Sequence, residues 1–309
     1  AFTGLIPAML DDYLTIKFVG ILASLNFAGY LSGSIFSIFV KDINFKVYLY
    51  RFGIFLAIST TFILAYSDNN TLWMIGRVLA GFAGAMCLIV GTSIVMQKLT
   101  IKSKTKAMGI HFSGIGFSIL TTDLLARFVL SLNYTWRDSW AVLAVFAIIL
   151  SLYSVYILSF DKEVKQNAVK VKFDISIFTP FVIVLIIAYF TEGVGFVVQA
   201  TFLPDIINNL KGLEGYGSLT WTLVGVAGIP SCIIWMLLAH RFGSSNIIII
   251  ALLLQAVGIL IPAFSSNIYL NLLSGVLYGG TFIGLVALFM NLGGQLSRGN
   301  PVVLMGAMT

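Results

Sequence analysis

The sequence is poor in charged residues and in the residues that hold metal ions. Asp, Glu, Lys and Arg together make up only 10% of the 309 residues, whereas 59% are hydrophobic. A water-soluble domain of this size needs far more polar surface, so the composition excludes one. With two histidines, a histidine-rich metal cluster is excluded as well. Cys87 and Cys232 lie within apolar runs, which is typical of small core residues. We therefore expect no metal and no cofactor.

Long apolar runs take the place of the missing charge. About 20 apolar residues are enough for a helix to cross the hydrocarbon core of a bilayer. The sequence contains many such runs, separated by short polar segments, and therefore predicts an all-α polytopic membrane protein. The predicted helices are Ala1–Leu10, Lys17–Val40, Tyr48–Tyr66, Thr71–Gln97, Ala107–Leu130, Ser139–Leu158, Thr179–Leu203, Leu219–Leu238, Ile247–Phe264 and Ile268–Leu292. Another run begins at Val302, so we expect a chain truncated at both ends, with nine complete helices and a partial one at each end.

Basic residues are distributed unevenly between the loops. The loops after the even-numbered predicted helices hold 13 of the 18 Lys and Arg residues, and the opposite loops and helix ends hold four. Cytoplasmic loops carry the excess of positive charge, so the long polar segment 160–174 is predicted to be cytoplasmic. These loops account for the formal charge of +6, which therefore gives no indication of nucleic-acid binding.

Short matches indicate that the chain contains two similar halves. The segment around Pro7 matches the segment around Pro204 at an offset of 197 positions. The run K-A-M-G that ends at Gly109 matches V-L-M-G, which ends at Gly306, at the same offset. Both matches lie near helix ends and keep their order along the chain.

A third match has an offset of 194 and pairs Arg77 with Asn271 and Gly81 with Gly275. Together the matches predict a repeat of six helices. An even number of helices gives both copies the same orientation, related by an axis along the membrane normal. A second half as long as the first needs about 50 further residues, enough for two helices.

Two six-helix halves with a basic cytoplasmic linker resemble the major facilitator superfamily. The run R-V-L-A-G-F-A-G-A from Arg77 is similar to its motif of arginine followed by glycines, and G-I-H-F-S-G-I-G-F from Gly109 to its glycine-rich motif without the proline. The segment E-G-V-G-F-V-V-Q-A-T-F-L-P, Glu192 to Pro204, resembles the seventh helix of the YbfB/YjiJ-type subgroup. The resemblance implies the major facilitator fold, with an N-terminal bundle at 1–158, a cytoplasmic linker at 159–178 and a C-terminal bundle at 179–309.

The loops that form the gate in this superfamily depart from its pattern here. The loop after the second helix, F-V-K-D-I-N-F-K, lacks the signature D-R-x-G. The matching loop in the second half, His240 to Gly243, reads H-R-F-G and has histidine in place of aspartate. The sequence therefore does not predict the charge relay that usually links the two halves.

Two charged residues stand inside predicted helices. A guanidinium in a membrane costs about 2.5 kcal/mol or more, so we expect Arg77 to face the protein interior. It is either a structural ion-pair residue or a cavity charge that contacts substrate or a coupling carboxylate. Glu192 lies near the middle of the seventh helix, where a low dielectric disfavours the ionised form. It is either the proton-responsive residue of a cavity between the halves or a neutral, hydrogen-bonded acid that never changes state.

The remaining candidates are polar or small. Asp123 and Arg127 are four positions apart, which closes a pair on one helix face, and local neutralisation is favoured over a role in transport. Polar residues that could line a central cavity, as part of the predicted substrate and proton pathway, are Asn26, Gln199, Gln255 and Asn271. Glycines predicted to let helices approach closely are Gly81, Gly84, Gly114, Gly116, Gly193, Gly195 and Gly275. The aromatic residues at predicted membrane interfaces, Trp73, Tyr134, Trp136 and Trp140, are interpreted as belt residues.

The repeat, the buried carboxylate and the glycine-lined faces favour a secondary transporter that moves a small molecule by alternating access, coupled to protons. A membrane-embedded transferase needs a paired acid–base or metal constellation at one membrane face, and the sequence shows none, so we do not expect an enzyme. A non-transporting receptor or scaffold stays an alternative. We expect a monomer in the bacterial plasma membrane, whose partners are a small-molecule substrate, protons and the lipid bilayer, without nucleic acid.

Overall fold

The computed structural model describes residues 2–98, 104–157, 175–297, 304 and 306. Its helices are α1 (Phe2–Leu10), α2 (Ile16–Ile38), α3 (Ile43–Tyr66), α4 (Asn70–Ala85), α5 (Gly91–Lys98), α6 (Lys104–Ser131), α7 (Trp136–Ile157), α8 (Pro180–Asn208), α9 (Tyr216–Phe242), α10 (Ser244–Phe264) and α11 (Ile268–Leu296). Within these residues, nine helical segments are long and apolar enough to cross a membrane. An α-helix pairs its own backbone N–H and C=O groups, which is necessary in the hydrocarbon core of a bilayer because no water is available there. The predicted all-α polytopic membrane fold is confirmed.

The observed start of α3 corrects one predicted boundary. The helix begins at Ile43 and not at Tyr48, because the Asp42 side chain caps its first turn by accepting a hydrogen bond of 2.7 Å from the backbone N–H of Phe45. Lys46, which the sequence analysis assigned to a loop, is therefore helical. Its side chain is only 1% exposed, although a lysine near a predicted loop is expected to reach water.

A short π-helical segment, Met86–Val90, joins α4 to α5, so that the two form one span. Gly53 of α3 lies against this segment, since a Cβ added to Gly53 would stand 2.8 Å from the Cβ of Met86 and 3.2 Å from the Sγ of Cys87. The missing side chain of Gly53 thus lets α3 approach the π-helical turn. Such turns inside α-helices occur frequently at functional sites.

The chain divides into two compact units. The first comprises Ala1–Thr15, Leu99–Ser131 and Ile187–Asn291, and the second comprises Ile16–Lys98, Leu132–Ile186 and Leu292–Thr309. The predicted bundles at 1–158 and 179–309 stay a prediction. Most of the predicted linker, 159–178, lies outside the described residues.

In the first unit, α6 and α9 are in close backbone contact. A Cβ added to Gly116 of α6 would stand 2.5 Å from the backbone carbonyl carbon of Gly228 in α9, and one added to Gly225 would stand 2.7 Å from the backbone nitrogen of Leu120. These positions admit no side chain larger than hydrogen, because the neighbouring atoms belong to the other helix's backbone. Small residues therefore set the distance between the two helices.

In the second unit, the tryptophans correct another prediction. Trp73 is fully buried, and Trp136 and Trp140 are 3% and 4% exposed. The rings of Trp73 and Trp136 pack edge to face with their centroids 5.9 Å apart. The interpretation of these three residues as lipid-interface belt residues is wrong, because they pack against protein instead.

The turn between α3 and α4 has the same hydrogen bonds as the turn between α10 and α11. The backbone N–H of Asn69 donates to the Ser67 hydroxyl, and that of Asn267 donates to the Ser265 hydroxyl, both at 3.1 Å. Each asparagine then caps the next helix by accepting hydrogen bonds from the backbone N–H groups two and three residues later. The two turns are 198 positions apart, as from Ser67 to Ser265.

The same offset identifies the true partner of Asn271. The indole N–H of Trp73 donates to the carbonyl of Ser67, and the Asn271 amide donates to the carbonyl of Ser265, both at 2.8 Å. Asn271 therefore corresponds to Trp73. The sequence-based pairing of Asn271 with Arg77 is wrong by four residues, which is about one helical turn.

Close helix contacts repeat at the offset of 198 as well. A Cβ added to Gly81 would overlap the carbonyl oxygen of Asn26, and one added to Gly279 would overlap that of Val224. Gly81 thus corresponds to Gly279 and not to Gly275. The internal repeat itself is supported by this agreement, since caps and glycine contacts recur in the same order.

Candidate functional site

The helix α8 has one face of exposed apolar side chains, which suits contact with lipid, and one face with polar residues. Large apolar side chains that are more than half exposed form a stripe along it: Ile187, Phe190, Val194 and Val198. Glu192, which is half-buried, and Gln199, which is 3% exposed, lie off this stripe. The helical period thus separates a carboxylate and an amide from the face that suits lipid.

Glu192 lines a cavity of about 270 Å³ between α8 and α10. The Gln255 side chain, which comes from α10 and is 2% exposed, donates a hydrogen bond of 2.6 Å to the Glu192 carboxylate. The other lining residues are mostly apolar: Ala188, Thr191, Gly195, Leu252, Ala256 and Ile259. Both helices belong to the predicted C-terminal bundle. The predicted position of Glu192 between the two halves stays a prediction.

Two amide oxygens near Glu192 have no hydrogen-bond partner within the described residues. They are the Oε1 atoms of Gln255 and Gln199, and both are buried. The Nε2 of Gln199 donates to the backbone carbonyl of Ile259 at 3.1 Å, so this amide also joins α8 to α10. A buried acceptor without a donor costs about 1–3 kcal/mol. The α8–α10 contact therefore contains two buried amide oxygens without a donor.

Aromatic rings hold α8 against α11. The ring centroid of Phe282 lies 4.9 Å from that of Tyr278 and 5.4 Å from that of Phe196. The Tyr278 hydroxyl donates to the backbone carbonyl of Phe196 at 3.5 Å. Tyr278 is also close enough to Glu192 to interact with its charge. A rigid aromatic wall thus stands one turn from the carboxylate.

The Asp123–Arg127 pair forms as its spacing predicts, with 2.6 Å between the Arg127 nitrogen and the Asp123 carboxylate. Thr222 of α9, which the sequence analysis did not single out, completes the group. Its hydroxyl donates to the Asp123 carboxylate at 2.9 Å and accepts a hydrogen bond from Arg127. Gly4 of α1 is adjacent, since a Cβ there would stand 3.3 Å from an Asp123 oxygen. The pair therefore also links α6 to α9 and leaves room for α1.

In the second unit, Arg77 of α4 and Asn26 of α2 each donate a hydrogen bond to a backbone carbonyl of the other helix. The Arg77 Nε donates to the carbonyl of Leu22 in α2 at 3.3 Å, and the Asn26 amide donates to the carbonyl of Arg77 at 3.0 Å. The guanidinium therefore faces α2 and has a polar partner there. Asn26 serves the α2–α4 contact, which is a structural position. Neither observation assigns a transport role to these two residues.

Lys46 is a buried charge that the sequence analysis missed. Its Nζ donates to the Ser93 hydroxyl of α5 at 2.9 Å, and the Gln97 amide donates to the same hydroxyl at 3.2 Å. Asp42, one turn earlier, interacts with its charge. A lysine between two predicted helices gives no sign of burial, so only the earlier start of α3 could have revealed it.

The remaining predicted residues divide into packed and open positions. Asn271 donates to two carbonyls of the α10–α11 turn, so it acts as a helix cap.

Besides Gly81 and Gly116, Gly275 is in tight helix contact, against Thr220. Side-chain contacts of ordinary length face Gly84 and Gly195. Beside Gly114 and Gly193 the described residues leave open space. Gly193 thus gives room next to Glu192 instead of a helix contact.

Both cysteines are free thiols. Among the residues that the structure describes, no three His, Cys, Asp or Glu side chains come together as ligands for a metal ion.

Comparison with known proteins agrees with this architecture. Two solved structures of the nucleoside transporter NupG are similar to the chain. One, a mutant, has a TM-score of 0.69 and 15% sequence identity, with 99% of this chain and 82% of that chain covered. The other has a TM-score of 0.64 and 14% identity, with 99% and 80% covered. At this identity the similarity shows the fold alone.

The profile of the family described as "Uncharacterised MFS-type transporter YbfB" matches residues 1–309. The match covers the chain from its first residue to its last and agrees with the resemblance at Glu192 to Pro204. The chain therefore belongs to this family of integral membrane transporters of the major facilitator superfamily.

Proposed function

We propose that the protein is a secondary transporter that moves a small molecule by alternating access, coupled to protons through Glu192. The observation that carries the proposal is the Glu192–Gln255 contact at the cavity between α8 and α10. A carboxylate in such a place exchanges its charge for a proton, and each unit of pKa shift corresponds to about 1.4 kcal/mol between the two protonation states. A difference of this kind between inward-facing and outward-facing states is what coupling requires.

The surroundings of Glu192 support a role in coupling over a purely structural one. A structural carboxylate inside a membrane protein is expected to pair with a cation or with several donors. Within the described residues, Glu192 accepts a hydrogen bond from the amide of Gln255, and the cavity lining contains no lysine or arginine. Asp123, by contrast, is paired with both Arg127 and Thr222.

The transporter works as a monomer in the bacterial plasma membrane, with the connection between α7 and α8 in the cytoplasm. Support for the orientation comes from the concentration of Lys and Arg in that connection and in the loops on the same side. An inward-directed or outward-directed proton gradient then supplies the driving force.

The test is proton-driven uptake in proteoliposomes, with a substrate found by a thermal-shift screen. Glu192→Gln keeps the shape of the side chain and removes its titration. We expect it to abolish accumulation driven by a pH gradient and to retain exchange of substrate across the membrane. Glu214→Gln is the matched control, because Glu214 is an exposed residue of the α8–α9 turn. Accumulation by Glu192→Gln equal to that of the parent protein would contradict the proposal.

A further inference from the structure

The residues that line the cavity beside Glu192 favour one class of ligand, and the coupling proposal does not depend on this preference. The polar residues of the cavity lining are Glu192, Gln255 and Thr191, and the Thr191 hydroxyl already donates to its own helix at Ile187 and Ala188. Gln255 donates an amide N–H to the Glu192 carboxylate, and its own carbonyl oxygen is buried, so the carboxylate is the main group that the lining offers to a ligand. The rest of the lining is aliphatic. Such a cavity favours a ligand that brings donors and positive charge on an apolar body.

The orientation of the Gln255 amide depends on the protonation of Glu192. An ionised carboxylate can only accept hydrogen bonds, so Gln255 must donate its N–H and leave its carbonyl oxygen unpaired. If Glu192 is protonated, its O–H can donate to the Gln255 carbonyl, and the amide must turn for this bond to form. Protonation thus gives the buried carbonyl oxygen of Gln255 the donor that it otherwise lacks.

We infer that the cavity binds a small protonated amine with an apolar body while Glu192 is ionised, and that protonation of Glu192 expels this amine by removing the negative charge. This inference rests on the proposed function and gives it a substrate class. A volume of about 270 Å³ suits a ligand of roughly a single ring with a short ammonium arm, since drug-sized ligands take about 300–1,000 Å³. Substrate and proton then compete for one carboxylate, which gives exchange of one for the other.

The neighbouring elements leave Glu192 as the group that titrates. The sequence of α10 contains no ionisable residue. From α11, Tyr278 interacts with the charge of Glu192, and its hydroxyl is directed to the carbonyl of Phe196. No lysine or arginine lines the cavity. A cationic ligand therefore meets no competing cation from the protein there.

The test measures binding of benzylammonium to the purified full chain in nanodiscs by calorimetry between pH 5 and pH 8. Raising the pH ionises Glu192, so affinity is expected to rise with pH, by up to tenfold per unit while the carboxyl is mostly protonated, and then to level off. Benzyl alcohol and benzoate have the same body without the cation and are expected to bind at least tenfold more weakly. Benzyltrimethylammonium has the charge without N–H donors and is expected to be intermediate.

Two variants distinguish the contribution of Glu192 to binding from that of Gln255. Glu192→Gln should lose both the pH dependence and the preference for the cation. Gln255→Met, which is similar in size, should keep the pH dependence, because the carboxyl group that titrates is unchanged. Both variants are first compared with the parent by thermal midpoint and size-exclusion profile. If the methionine variant fails to fold, Gln255→Leu takes its place.

Three results would overturn the inference: equal affinity for benzyl alcohol and benzylammonium, pH-independent binding, or binding that Glu192→Gln leaves unchanged. Absence of saturable binding by all four probes, with pH-driven uptake of another solute that still depends on Glu192, would overturn the substrate class and leave the proposed function standing. Uptake that does not depend on Glu192 would overturn the proposed function itself.

Discussion

The Asp123 carboxylate is a buried charge with two side-chain partners, Arg127 and Thr222. Its side chain is 2% exposed, whereas that of Arg127 is 33% exposed, and Thr222 bonds to both. An exposed ion pair, Arg137 with Asp68, offers a comparison, because the Asp68 side chain is 77% exposed. Pairs of the two kinds are expected to differ in energy, since burial removes the screening by water.

Asp123→Asn should therefore lower stability much more than Asp68→Asn. Removing one partner of a buried pair typically costs about 3–5 kcal/mol, and the partial exposure of Arg127 reduces this to about 1–3 kcal/mol. An exposed pair is worth about 0–1 kcal/mol. Thermal unfolding in detergent, followed by tryptophan fluorescence, measures both.

The double variant Asp123→Asn with Arg127→Gln serves as the control for this comparison. Because it leaves no unpaired charge, it should recover part of the loss, with a coupling of about 0.5–3 kcal/mol. Equal losses for Asp123→Asn and Asp68→Asn would show that burial does not strengthen the Asp123 pair.

Residue spacing predicted the contacts within a helix and missed those between helices. Asp123 and Arg127 are neighbours by the geometry of one helix, so a single sequence was enough. Gln255 is 63 positions from Glu192, and its role as partner depends on how α8 packs on α10. The sequence put Gln255 among candidate cavity residues but could not pair it. Lys46 was missed for a local reason, because the Asp42 cap extends α3 by more than a turn.

At the scale of elements, adjacent glycines on α11 have opposite surroundings. A Cβ added to Gly279 would overlap the backbone carbonyl of Val224 in α9, whereas one added to Gly280 would lie 3.9 Å from the Cβ of Ala227. Alanine is intrinsically favoured over glycine in a helix by about 1 kcal/mol. The intrinsic gain is the same at both positions, so the difference between them reports the packing alone.

Gly280→Ala is expected to leave stability unchanged or to raise it by up to about 1 kcal/mol. Gly279→Ala is expected to lower stability by about 1–3 kcal/mol, because α9 or α11 must shift to admit the methyl group. Gly81→Ala should behave like Gly279→Ala, since the two glycines occupy the same place in the repeat. Thermal midpoints of the three variants measure this. A Gly279→Ala variant as stable as Gly280→Ala would contradict the close contact.

The periodicity of glycine explains why the sequence predicted the repeat but not its register. Gly275 and Gly279 are four residues apart, which places them on one helix face in consecutive turns. Either can be aligned with Gly81, and the residue types around them do not decide between the two. The caps decide, because Asn69 and Asn267 start their helices at one defined residue. In the correct register Gly275 takes the place of Arg77, so the arginine has no counterpart in the second half.

At the scale of the whole molecule, the number of spans fixes which loops share a side of the membrane. Six of the nine membrane-type helices lie between Asp68 and Ser266, which occupy equivalent places in the two similar turns. Three of them lie between Asp68 and Lys165. An even number of crossings returns the chain to the same side, and an odd number does not. The apolar runs predicted these spans well, because lipid leaves few alternatives to a long helix.

Single cysteines at Asp68, Ser266 and Lys165, each in a background with Cys87→Ser and Cys232→Ala, test this topology in intact cells. Asp68→Cys and Ser266→Cys should react with a membrane-impermeant maleimide from outside, because both positions are exposed and face away from the basic loops. Lys165→Cys should react only after permeabilisation, since it lies in the lysine-rich connection predicted to be cytoplasmic. Labelling of the first two positions from opposite sides would contradict the repeat of six helices. Labelling of both from inside, with Lys165→Cys labelled from outside, would keep the repeat and reverse the orientation, which would show that the basic loops do not determine the topology of this chain.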